Sequence, residues 1–163
     1  MGTGPESVIT EDMRRHISIP SEPWVVEVER GAIVRYADAI CDPNPMYRDR
    51  AYAQAHGSQD IVAPPGFLGW PVSEPQSVRL PSPFFRNVTG GMELVYERPI
   101  RAGERLIATA KLVEINEKQG RPGVGHMLFQ VIETTYRDMD GKVVVTHRVT
   151  DITFAGADEE ETS

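Results

Sequence analysis

The order of patterns along the chain predicts an α+β fold, with one long antiparallel sheet wrapped around a central helix. Three observations carry this. Helical periodicity is confined to the first half of the 163 residues. After Gly91 the chain reads as consecutive strands joined by short turns. Between the two lies an almost wholly apolar run, residues 61–72 (IVAPPGFLGWPV), in which Pro64 and Pro65 suit the start of a helix. Strands that follow one another through short turns pair antiparallel, and segregation of helix from strand marks the α+β class. An apolar helix beside a curling sheet buries itself in the sheet's concave face.

Residues 1–20 are polar with few large apolar side chains, so a flexible N-terminal arm is expected. Residues 24–29 (WVVEVE), β-branched and bounded by Pro23, predict a strand. From residue 30 to 40 the period changes. Ile33, Val34, Ala37 and Ile40 share a helical face opposite Arg35 and Asp38, until Pro43 and Pro45 stop the helix. Residues 49–56 predict one more short helix, closed by Gly57. The central helix is expected from about residue 64 to 72. Residues 73–87, with three prolines, predict a loop over the surface. Strands are expected at 92–97, 104–116, 126–137 and 142–154. A turn at 98–103 (RPIRAG), a glycine-rich connection at 120–125 (GRPGVG) and a hairpin turn at Asp140-Gly141 separate them. Residues 21–156 then form one domain, and 157–163 (ADEEETS) an acidic disordered tail.

Composition narrows the function. The hydrophobic fraction of 40% and charged fraction of 25% are ordinary for a globular chain able to bury a core. A net charge of −7 gives no basic footprint for nucleic acid and disfavours an anionic membrane surface. Cys41, the single cysteine, forms no internal disulfide and excludes Cys₂ or Cys₄ metal sites. No stretch has the length of a transmembrane helix, and the polar first ten residues do not read as a signal peptide, so a cytoplasmic protein is expected. Nothing in the chain calls for a metal or a cofactor. The run GRPGVG lacks the Lys-Ser/Thr ending of a phosphate loop and reads as a hairpin connection.

The chemistry concentrates in residues 36–53, YADAICDPNPMYRDRAYA. This stretch resembles the hydratase motif of the MaoC-like acyl-thioester dehydratase/hydratase family: aromatic, spacer, small residue, Gly, Asp, any, Asn, Pro, aliphatic, His, then a small residue further on. Asp42, Asn44, Pro45, Met46 and a later alanine match. Cys41 stands where the family has Gly, and Tyr47 where it has His. Residues 61–67 (IVAPPGF) are similar to the start of the family's central helix. Residues 93–103 (ELVYERPIRAG) are similar to its second strand and the turn after it, and the pattern continues through 136–141 (YRDMDG). The resemblance spans about residues 20–155 and is nearest the N-terminal, FAS1-like dehydratase type of half-domain, found in subunits that pair with a separate catalytic subunit. It implies a hot-dog fold and lyase-type chemistry in fatty acid or polyketide metabolism. The implied ligand is an acyl thioester of coenzyme A or of a carrier protein. The implied assembly is a homodimer, or a heterodimer with a second hot-dog subunit.

Adding water across a C=C bond conjugated to a thioester needs a base for the water, an acid for the α-carbon and a donor for the enolate-like oxygen. The resemblance assigns the proton work to the Asp and His positions, here Asp42 and Tyr47. A tyrosine, with a reference pKa of about 10, is a poor shuttle near neutrality unless a cation such as Arg48 or Arg50 lies beside it. The carbonyl donor is a backbone N–H at the start of the central helix, aided by the helix dipole. One register puts Pro65, which has no N–H, at that position; a shift by one residue puts Gly66 there. Asn44, Pro65, Gly66 and Arg98 are therefore the candidate substrate-binding residues, with Arg101 and Arg105 as further candidates to meet phosphates. The two departures favour a subunit that is weakly catalytic or non-catalytic and is paired with a motif-complete partner. A self-sufficient homodimeric hydratase using Asp42, and a binding module without a reaction, are the alternatives.

Plainer readings stand beside these. Asx residues flanking prolines cap helices and close turns. Tyr47 reads equally as a packed aromatic, Cys41 as a small buried residue rather than a nucleophile, and Arg98 as a solvated strand-end charge. His147 lies on a strand; facing the cavity, it would be a substitute acid/base.

Overall fold

The computed structural model of the chain describes residues 7–69 and 78–156. Its centre is a five-stranded sheet in the order β1-β3-β4-β5-β2. The strands are β1 (Trp24–Glu27), β2 (Arg86–Tyr96), β3 (Arg105–Gln119), β4 (His126–Arg137) and β5 (Val143–Phe154). Every neighbouring pair is antiparallel. Before the sheet closes, the chain forms helices α1 (Glu11–Arg15), α2 (Arg30–Ala39) and α3 (Arg50–Ala55) and the 3₁₀ turns Pro45–Tyr47 and Phe67–Gly69. Few helices over one long antiparallel sheet is the hot-dog arrangement.

The alternation read in the sequence sets the two faces. Leu106, Ala108, Ala110 and Leu112 of β3 are buried, as are Leu128, Gln130, Ile132, Thr134 and Tyr136 of β4. Strict alternation would turn Ile115 outward. A register shift between Leu112 and Glu114 inserts one residue and returns Ile115 to the buried side. Across the strands this side runs in rows: Ala108, Tyr136 and Val145; then Ala110, Thr134 and His147; then Leu112, Ile132 and Val149. The opposite face carries alternating charge, with Lys111, Glu133, Arg148 and Glu93 in register. Lys111 and Arg148 both reach Glu133, at 3.0 and 2.8 Å. Burial works against the Glu133 charge, yet these two partners hold its carboxyl below the usual pKa.

Two apolar clusters fill the concave side. The first unites Ile33 of α2, Ala53 of α3, Ile61, Phe67 and Leu68 with Leu106, Ala108, Tyr136, Val144 and Val145. The second unites Ile9 and Val78 with Leu112, Ile115, Leu128, Ile132 and Val149.

Four expectations meet a different outcome. The stretch expected as a flexible arm is, from residue 7 on, laid against the sheet. Thr10 caps α1 by accepting the Met13 N–H, the Ser18 N–H reaches the Leu112 carbonyl (2.8 Å), and Pro20 bridges to Lys111. The central helix is not formed over residues 64–66. The Ala63 and Ala102 N–H groups pair residues 61–63 with 100–102 (2.9 and 3.0 Å), then two prolines and Gly66 at φ +88° follow. Proline holds the residue before it extended and removes donors, so helical geometry begins only at Phe67, as one 3₁₀ turn; residues 70–72 lie outside the described residues. The edge strand β2 begins at Arg86, before the expected residue 92, because a bulge between Thr89 and Gly91 lets the Gly-Gly pair stay in the ladder with β5. Of the loop expected over 73–87, residues 73–77 are outside the described residues, and Val78 is buried rather than on the surface.

Among the described residues no helix is long and apolar enough to cross a membrane.

Candidate functional site

The motif is positioned by the end of α2. Ile40 closes the helix, and Cys41 adopts φ +56°. The Cys41 N–H donates to the Asp38 carbonyl (3.0 Å) and the Asp42 N–H to the Ala37 carbonyl (2.9 Å). This pair of bonds is a Schellman closure, whose left-handed residue is most often glycine. The Gly-to-Cys departure therefore has a backbone meaning: Cys41 holds the glycine conformation at some cost in strain. Asp42, half-buried, follows with its backbone fixed. Its Oδ1 accepts the Asn44 N–H (2.9 Å), and the Asn44 Oδ1 accepts the Met46 N–H (3.0 Å), so both Asx side chains close turns here. Among the described residues, the Asp42 carboxylate has no other hydrogen-bond partner.

Pro45–Tyr47 forms a 3₁₀ turn that drives Met46 and Tyr47 against the first apolar cluster. The Val62 N–H donates to the Met46 carbonyl (3.0 Å), tying this turn to the strand-like residues that lead into Pro64 and Pro65. Asp42, Asn44, Tyr47, Pro65 and Gly66 thus belong to adjoining segments. The two cations considered beside Tyr47 are engaged elsewhere. Arg48 binds the Asp38 carboxylate and the Asp42 carbonyl, neutralising the C-terminal end of α2, and Arg50 lies 3.5 Å from Asp60.

At the second segment, Pro65 is exposed and Gly66 is half-buried. The Gly66 N–H is not free: it donates to Tyr96 Oη at 3.2 Å. A Cβ on Gly66 would stand 2.6 Å from Tyr36 Oη, so glycine is required both by its positive φ and by the approach of that hydroxyl. Tyr36 also meets the Phe67 ring edge-on, with centroids 5.8 Å apart. Burial pushes the Tyr96 phenol above its ordinary pKa, against the Gly66 bond, and the nearby Tyr36 adds to the rise. Tyr96 was not visible as a site residue in the sequence. The one usable signal is phase: it lies two residues from Leu94 on a strand whose register with Val145 needs the fold.

Arg98 does not join this group. Its guanidinium takes both oxygens of Glu104 (3.0 and 2.9 Å) and lies 3.6 Å from Asp138, so its charge is already matched. Arg101 and Arg105 likewise face Glu104 and Glu27. His147 faces the concave side, 5% exposed, in register with Thr134 and Leu94; burial lowers its pKa and keeps it neutral near pH 7. An open cavity of about 400 Å³ lies elsewhere, lined by Val28, Arg30, Asp60, Gly103 and Arg105; it includes none of Asp42, Asn44, Tyr47, Pro65, Gly66 or Arg98. Among the described residues no group of three metal-ligating side chains occurs.

Comparison with known proteins agrees with this architecture. Residues 15–147 match the family model described as "FAS1-like, dehydratase domain region". A UPF0336 protein of Streptomyces avermitilis is 34% identical over 148 residues, covering 86% of this chain and 91% of that one. A MaoC-like dehydratase superposes with a TM-score of 0.73 at 24% identity, over 88% of this chain and 43% of that one. The Mycobacterium tuberculosis HadBC complex, a 3R-hydroxyacyl-ACP dehydratase, superposes with a TM-score of 0.68 at 20% identity, over 80% of this chain and 94% of that one. At these identities the two structures speak for the shared hot-dog fold.

Proposed function

The chain belongs to the family of FAS1-like dehydratase domain regions, and from that premise we propose that it is a subunit of an acyl-thioester dehydratase/hydratase, weakly catalytic or non-catalytic alone. It works in the cytoplasm beside a second hot-dog subunit that carries the complete Asp and His pair. The ligand is an acyl thioester of coenzyme A or of a carrier protein.

The observation that carries this reading is the state of the motif. Asp42 is in place but its carboxylate holds a turn, and the residue that would pass the second proton is Tyr47, packed on an apolar cluster with, among the described residues, no cation paired to it. Hydration needs both a base and an acid of suitable pKa. A carboxylate spent on a turn and a phenol packed on an apolar cluster do not make that pair. The same segments still shape a site: Asp42, Asn44 and Gly66 are held by backbone bonds, which is what a half that positions the acyl chain requires. The HadBC complex, whose name joins two subunits, supports the paired arrangement.

Steady-state hydration of a short enoyl thioester by the pure chain, and by the chain co-purified with a motif-complete hot-dog subunit, tests the reading. The pure chain is expected to bind the thioester with negligible turnover, and the pair to turn over at an ordinary rate of roughly 1–10³ s⁻¹. Asp42→Asn in this chain, which keeps an oxygen for the Asn44 N–H, leaves the pair's rate within a few-fold. Ordinary turnover by the pure chain, lost about 10²-fold or more in Asp42→Asn, would show a self-sufficient hydratase instead.

A further inference from the structure

The turn that leads into Phe67 is unusually poor in donors. Pro64 and Pro65 have no N–H. The Gly66 N–H is taken by Tyr96 Oη, and the Phe67 N–H by the Pro64 carbonyl at 3.1 Å. The amide at this turn that the family resemblance assigns to a thioester carbonyl is therefore spent on a side chain.

That side chain, however, is an exchanger of donors. A phenol that accepts one hydrogen bond retains one O–H to give. Among the described residues Tyr96 has the Gly66 N–H as partner and no acceptor for its own proton. The accepted bond polarises the phenol and strengthens what it donates. Tyr96 stands on the edge strand β2, in register with Val145 of the concave face, and is half-buried rather than sealed. Its surroundings keep it protonated at neutral pH, so the donor is always present. The turn is built to bring the groups together: Gly66 at φ +88° leaves room for the Tyr36 hydroxyl that any Cβ would displace.

Resting on the thioester reading above, we propose that Tyr96 Oη is the group that binds the thioester carbonyl, with the Gly66 amide acting through it rather than on the ligand. Tyr96 is then a substrate-binding residue for a carbonyl oxygen, and Gly66 a positioning residue. Tyr36 packs beside them without holding the carbonyl.

The test uses a saturated probe that cannot be hydrated: a butyryl thioester, ¹³C-labelled at the carbonyl, presented on coenzyme A and on a carrier protein. Its carbonyl band is read by difference infrared spectroscopy when bound to the full chain. Two variants replace Tyr96 or Tyr36 with 3-fluorotyrosine, which keeps the ring and the hydroxyl but makes the phenol a stronger donor. The bound carbonyl band is expected below the free one in the natural chain, and lower again with 3-fluorotyrosine at position 96. With 3-fluorotyrosine at position 36 it stays put. Tyr96→Phe weakens binding about three- to tenfold, the worth of one neutral hydrogen bond. A band that ignores fluorination at 96, or follows it only at 36, overturns the assignment while leaving thioester binding intact. Failure of the natural chain to bind either form of the probe overturns the functional reading itself, and this inference with it.

Discussion

The two ends of the concave face are closed by different physics. At one end, Ile33, Ile61, Phe67 and Leu68 come down from helix and turn onto Ala108, Tyr136 and Val145, and the closure is apolar packing. At the other end the second apolar cluster is covered by irregular segments, with Ile9 and Val78 turned inward, and that cover is pinned in addition by polar bonds. Gln130, 3% exposed, receives the Leu80 N–H on its oxygen (2.9 Å) and gives its amide to the Leu80 carbonyl (3.0 Å). Its side chain thereby acts as a strand partner for an irregular segment. Arg79 meets Asp151 at 2.5 Å, Ser82 meets Thr153 at 2.6 Å, and the Val8 N–H donates to Glu117 at 2.9 Å. Between the ends lies the row of Thr134 and His147. The motif sits at the packed end, where an aliphatic cluster fixes the backbone that holds Asp42 and Gly66. A segment held by a few hydrogen bonds opens at lower cost than one held by a core.

The comparison can be broken in three places. Leu68→Ala at the packed end should cost the most, about 2–5 kcal/mol of global stability, because a fully buried side chain leaves a cavity; urea unfolding measures it. A loss under 1 kcal/mol would mean this end is not closed by packing. Gln130→Leu should cost about 1–3 kcal/mol, since it strands the Leu80 amide and carbonyl together. Hydrogen exchange should report the loss locally, with amides at 78–84 losing protection before those of β3 and β4. Uniform loss would show that both ends open as one unit. The smallest effect is at the row between them. Burial lowers the His147 pKa from its ordinary value of 6.5, so below that pH the unfolded chain takes up the proton first. Stability is complete above pH 6.5 and declines as pH falls toward the folded value, by at most about 1.4 kcal/mol per pH unit. Thermal melts between pH 6.5 and 5.5 should show this slope in the natural chain and lose it in His147→Gln.

Much of the fold was legible because alternation and turn chemistry are local. β4 and β5 fall where their patterns put them. The Asp140-Gly141 signal is a real turn, with Gly141 at φ +81° and the Asp138 carboxylate accepting two backbone N–H groups. Helix α2 buries Ile33 and Ala37 as its period requires, though Ile40 is left 47% exposed because the Schellman closure ends the helix there. What failed locally was decided at long range. An apolar run reads as a helix until residues 61–63 pair with 100–102 and two prolines follow, and a proline-rich segment reads as surface until Gln130, fifty residues away, draws it in. The site divides in the same way. Asp42, Asn44 and Tyr47 could be named because the motif resemblance is carried by one short stretch, residues 36–53, whose local turns set where they sit. The bond from Gly66 to Tyr96 spans thirty residues and depends on the phase of an edge strand. Arg98 looked available because its carboxylate partners, Glu104 and Asp138, are supplied by a turn and a hairpin that converge only in three dimensions.

Cys41 is exposed, and it is the chain's single thiol. It directly precedes Asp42, at the residue where α2 gives way to the motif. A fluorophore or spin label attached there would need no background cysteines removed, and it would report from the doorstep of the site. Arrival of a second subunit or of an acyl chain could then be followed in real time on the otherwise natural protein.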